Sequence, residues 1–94
     1  MSAFSIPPEM REKYLSRRRI DLEILSSSLE ARSADEFKRI GHQLKGNARS
    51  FGYQQLELIG QKFEDAAERK DFVELKRQMD AFRDFIEIAI AQGT

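Results

Sequence analysis

His42 is the only histidine in the chain and cysteine is absent. It is therefore the one side chain whose ordinary pKa allows it to act as a nucleophile near neutrality. It stands in Arg39-Ile40-Gly41-His42-Gln43-Leu44-Lys45-Gly46-Asn47-Ala48-Arg49-Ser50-Phe51-Gly52, one helical turn before a Lys-Gly pair. A neutral imidazole nitrogen attacks phosphorus and forms a labile P–N bond, which suits a histidine to carrying a phosphoryl group for a short time. Lys45 would supply the compensating positive charge. A kinase needs a nucleotide site, and the sequence holds neither a Walker A motif nor a kinase-like glycine-rich loop. Phosphate would thus reach His42 from elsewhere, not from ATP bound here.

The elements that must position this histidine are all helical in pattern. Pro7 and Pro8 precede the first periodic segment, where proline is compatible with a helix start, so residues 1–8 read as an N-terminal arm and 9–94 as a single domain. From Glu9 to about Ala31, the residues Met10, Tyr14, Leu15, Leu22, Leu25 and Leu29 recur at mostly helical spacing, with a break at Ser16-Arg17-Arg18-Arg19. One long first helix is expected. Ser33-Ala34-Asp35-Glu36 fits a capping box for a second helix, which carries Phe37, Ile40, Gly41, Leu44, Ala48 and Phe51 on one stripe and stops at Gly52. A third helix covers Gln54 to Arg69 and buries Leu56, Ile59, Phe63 and Ala67, with Gly60 permitting close approach by a neighbour. Asp71 caps a long fourth helix, with Glu74 in the box position. Four amphipathic helices on short connections, with no strand-like alternation, predict an all-α antiparallel four-helix bundle with a long N-terminal helix.

At about 100° per residue, the apolar stripe of the second helix is roughly 100° wide and His42 lies about 150° from its centre. The ring is expected to face solvent. Most lone histidines are structural, but a structural one sits in or beside the core with a buried partner. Acyl transfer is excluded on the same ground, because it needs a serine or cysteine nucleophile with a buried acid orienting the histidine. Lys38, Lys45 and Arg49 project within about one-sixth of a turn of His42, giving a cationic ridge that by itself would be an ordinary solvated face. Gly46 changes the weighting. Glycine inside a helix costs about 1 kcal/mol relative to alanine, so an exposed glycine beside His42 suggests room kept for a docking macromolecule or a bulky anion.

Composition is consistent with this. With 94 residues the chain is one domain, and its 16 basic and 16 acidic residues cancel. No overall field favours nucleic acid or an anionic membrane. No apolar run is long enough to span a membrane and Met1 to Pro8 lacks the features of a secretion signal, which predicts a cytoplasmic protein. Without cysteine there are no disulfides and no cysteine-based zinc site, so packing must supply stability.

His42-Gln43-Leu44-Lys45-Gly46 followed by Gly52, then Leu56, Ile59, Phe63 and Glu64, resembles the H-x-L-K-G-x5-G signature and downstream apolar positions of histidine-containing phosphotransfer (HPt) domains. The similarity is strongest over Phe37 to Glu64. It implies a phosphorelay intermediate, a carrier and not an enzyme, in which His42 Nε2 takes a phosphoryl group from a receiver-domain aspartate and gives it to another receiver. It further implies that Lys45 meets the phosphoryl oxygens and Gly46 clears space for the receiver's loops. Lys38, Gln43 and Arg49 would border the docking surface. No cofactor is expected on this chain, since the Mg²⁺ and acidic pocket of such transfers belong to the receiver. A monomer is expected. Phe4, Ile6 and Ile20 stray from the core stripes and are read as cover for the bundle end.

Two other readings compete. A helical adaptor that binds and sequesters a receiver noncovalently would use His42 as a mere contact, and would survive His42→Gln but not Gly46→Trp. A nucleic-acid binder using Arg17, Arg18, Arg19 and the Lys38–Arg49 ridge is opposed by the balanced charge and by the lack of an aromatic platform near the basic residues.

Overall fold

The computed structural model describes residues 6–93, and consists of four helices: α1 (Pro8–Glu30), α2 (Asp35–Asn47), α3 (Gln54–Arg69) and α4 (Phe72–Gln92). A short 3₁₀ turn, Arg49–Phe51, links α2 to α3. Phe4 and most of the expected arm lie outside the described residues.

Proline opens α1 because the first N–H groups of a helix have no internal partner. Pro7 is the N-cap, and its carbonyl accepts from Met10 and Arg11 at 3.0 and 3.2 Å. Tyr14, Leu15 and Leu25 are buried, whereas Met10 and Ile20 are more than half exposed and Leu22 and Leu29 only partly covered. The polar break in the stripe does not end the helix. Arg18 pairs with Asp21 at 2.9 Å and its guanidinium lies 4.5 Å from the centre of the Tyr14 ring, so polar groups hold the face that apolar ones leave open.

The capping box expected at Ser33 is absent. Ser33 N–H instead donates to the Ser28 carbonyl at 2.9 Å, closing α1 with Arg32 in the left-handed region (φ 54°). That moves the N-cap of α2 to Ala34, which makes no side-chain cap, and Glu36 turns to Arg39 at 2.7 Å. Asp35 and Glu36 still suit the positive pole of the helix. The far end of α2 also differs from expectation. The α-helix ends at Asn47 and tightens to the 3₁₀ turn, where Tyr53 N–H reaches the Ala48 carbonyl at 3.0 Å and Gly52 adopts φ 85°. Gly52 is the stop that its sequence position suggested, reached through a change of helix type.

Both ends of α3 fall where the sequence put them. For α4, Asp71 Oδ1 accepts from Glu74 N–H at 3.1 Å, but the Glu74 carboxylate bonds Gln78 at 2.8 Å and does not reach back, so only half of that box forms.

Short connections make the helices run alternately up and down. The pairings Tyr14 with Asn47, Lys38 with Glu68, and Arg49 with Glu57 each join an early residue to a late one, as antiparallel neighbours require. Phe37, Phe63 and Phe82 meet edge to face at 5.4 and 5.6 Å, fixing α2, α3 and α4 about one aromatic core. Leu15, Leu25, Ile40, Leu44, Leu56, Leu75 and Ile86 complete it and are fully buried. The closest approach is between α2 and α3. A Cβ built on Gly41 would lie 2.6 Å from the Gly60 carbonyl oxygen, and one on Gly60 would lie 2.7 Å from that of Gly41. The two backbones touch there.

Candidate functional site

His42 follows directly on the contact glycine Gly41, so it stands at the lip of the α2–α3 seam. Its side chain is 80% exposed, as the helical projection required. One turn beyond Gly60, α3 presents Glu64, 19% exposed at the foot of the ring. The Glu64 carboxylate bridges two α2 residues, with Oε2 at 3.1 Å from His42 Nδ1 and Oε1 accepting from Lys45 Nζ at 2.8 Å.

This bridge dictates the chemistry of the ring. The Lys45 hydrogen bond holds Glu64 below the ordinary carboxylate range against the opposing effect of burial, and the His42 hydrogen bond adds to it. An ionised carboxylate only accepts, so Nδ1 is the nitrogen that donates, and in the neutral ring the lone pair then lies on Nε2. Nε2 has no hydrogen-bond partner among the described residues.

The other residues singled out by the sequence surround this pair. Gly46 is exposed, with nothing within 4 Å of where its Cβ would stand. It occupies the last turn of α2 and not mid-helix. Gln43 is exposed and shares a shallow depression with Asp35, Lys38, Arg39, His42 and Glu64. Lys38 and Arg49 flank the site as a cationic ridge, and α3 supplies a carboxylate partner to each. Lys38 pairs with Glu68 at 3.0 Å and Arg49 with Glu57 at 3.2 Å. The Glu68 hydrogen bond raises the Lys38 pKa above the ordinary lysine value.

Glu64 is the residue to which the sequence assigned no role. A partial signal existed: Lys38 and Arg49 lie eleven positions apart, as do Glu57 and Glu68, so antiparallel helices set Lys38 against Glu68 and Arg49 against Glu57, with Lys45 and Glu64 between them.

The Hpt domain model matches residues 9–92, nearly the whole chain, and the protein belongs to that family of histidine phosphocarrier modules of two-component signalling, which work with receiver domains. Comparison with curated proteins and with solved structures gave no significant match. Among the described residues, no helix is long and apolar enough to cross a membrane.

Proposed function

We propose that the protein is a phosphorelay intermediate, with His42 Nε2 accepting a phosphoryl group from the aspartyl phosphate of one receiver domain and passing it to the aspartate of another. The observation that carries this reading is the exposed imidazole whose Nδ1 is tied to Glu64 while Nε2 faces outward. In the forward step the Nε2 lone pair attacks phosphorus, the P–O bond to the aspartate breaks, and the carboxylate leaves with the electron pair. Lys45, one turn away, offsets charge on the phosphoryl oxygens. Gly46 leaves the space into which receiver loops fit, and Lys38, Gln43 and Arg49 border that footprint.

The chain acts as a carrier, not an independent enzyme. Mg²⁺ and the acidic pocket come with the receiver, and a monomer working in the cytoplasm completes the reading. Incubation with a phosphorylated receiver should transfer acid-labile, base-stable phosphate to the protein, and His42→Gln should abolish it. Labelling of the glutamine variant at the normal level would refute the reading.

A further inference from the structure

We propose that the outer face of α4 is a self-association surface, on which a second copy of this chain docks its own α4 antiparallel about a two-fold axis. The proposal goes beyond the carrier reading, in which a single copy performs transfer, and does not depend on it.

At about 100° per residue, Val73, Arg77, Ala81, Asp84 and Ile88 fall within about 80° of one another on α4. All five are exposed, Val73 by 76% and Ile88 by 57%. Apolar residues scattered singly over a surface need no explanation. Here their placement is symmetric. Val73 and Ile88 share one midpoint with Arg77 and Asp84, between Asp80 and Ala81. A helix face with that symmetry is complementary to itself when reversed, which is the condition for a closed pair. An axis through the midpoint sets Val73 against the partner's Ile88 and Arg77 against the partner's Asp84, and repeats both contacts from the other copy. The seam runs for about 22 Å at the ordinary helical rise. Ala81 lies beside the axis, where a small side chain lets two helices approach closely.

The charges on this face fit such a partner. Asp84 has no ion partner among the described residues, and the side chain of Arg77, which reaches Glu74 at 3.4 Å, is 73% exposed. Asp80 meets its own counterpart near the axis, but Lys76 and Arg83 already neutralise it, each at 2.9 Å. Beside Ile88, a groove lined by Tyr53, Phe85 and Ala89 leaves room for the partner's Val73.

The pairing leaves the transfer site free. α4 packs on α1 and α3, and α2 packs on the same two helices, so the outer faces of α2 and α4 point to opposite sides of the bundle. The dimer therefore carries two outward His42 rings. One helix against one helix is a small interface, so the association is weak and reversible, with a Kd on the order of 0.1 mM.

The test is sedimentation velocity of the full chain from about 10 µM to about 1 mM, a range that brackets this Kd. The samples are the parent, Arg77→Glu, Asp84→Arg and an equimolar mixture of the two variants. Circular dichroism establishes that each variant keeps the parent's helix content. The parent should pass from monomer to dimer and no further. Either reversal alone sets like charges against each other across the pair and should weaken association about tenfold or more. In the mixed pair opposite charges face each other again at both contacts, and association should return to the parent's level. In the parent alone, amide shifts that change with concentration should gather between Val73 and Gln92. A parent that stays monomeric throughout the range, a reversal that leaves association unchanged, a mixture that stays apart, or shifts centred on another helix would each overturn the proposal.

Discussion

At the scale of single residues, the proposed function would have His42, Glu64 and Gly46 divide the work between chemistry, orientation and access. Glu64 also links the site to stability. Its folded pKa is depressed, so its contribution is fully present above the ordinary carboxylate range and is lost as pH falls through the folded value. Glu64→Gln should lower stability at pH 7 by at most about 1 kcal/mol, as expected of a partly exposed ion pair. Urea midpoints of parent and variant should converge at strongly acid pH; a gap that persists there would mean the loss is not electrostatic. Gly46 makes the opposite prediction. Because nothing lies near its missing Cβ, Gly46→Ala should leave the fold intact and raise stability by up to about 1 kcal/mol, less if the last turn frays. Gly46→Trp should fold equally well yet cut transfer from a receiver at least tenfold. Unimpaired transfer in the tryptophan variant would remove the access role from this position.

Between elements, the α2–α3 seam is the part of the fold that the site depends on most. Gly60→Ala places a methyl group against the Gly41 carbonyl and the Leu44 side chain, so the helices must part. A loss of about 1–3 kcal/mol in urea unfolding is expected, the usual cost of overpacking. A parent-like midpoint would show that the crossing tolerates a larger residue. Gly60 was legible as a close-approach position and Gly41 as a member of the apolar stripe of α2; that the two meet each other was not. Also legible were α3 and α4, whose boundaries are marked by Arg69-Lys70 and by the Asp71 cap. The two ends of α2 were not. At its start, the Ser33 N–H that a capping box would have satisfied is taken by the Ser28 carbonyl to close α1, a competition between neighbouring helices that local sequence does not reveal. At its end, the stripe through Phe51 continues while the backbone tightens, since a 3₁₀ turn can keep an apolar residue on the core side. The counter-ions of the cationic ridge were hidden for a related reason: they lie on another helix, and reading α2 alone shows only its positive half.

For the molecule as a whole, the four-helix framework, the outward histidine and the membership of the Hpt domain family converge on one use of the surface. The aromatic core of Phe37, Phe63 and Phe82 braces α2 against α3 and α4, so the exposed face can present His42 on a rigid support. On the proposed reading the carrier needs no closed pocket, because the receiver would bring the acidic site and the metal. The most direct measurement is therefore transfer from a phosphorylated receiver domain to the purified protein, followed by mapping of the label. Acid-labile, base-stable phosphate on His42 of the parent and none on His42→Gln is the expected result. A parent that takes no phosphate from any receiver, or a His42→Gln protein that labels as well as the parent, would contradict the account.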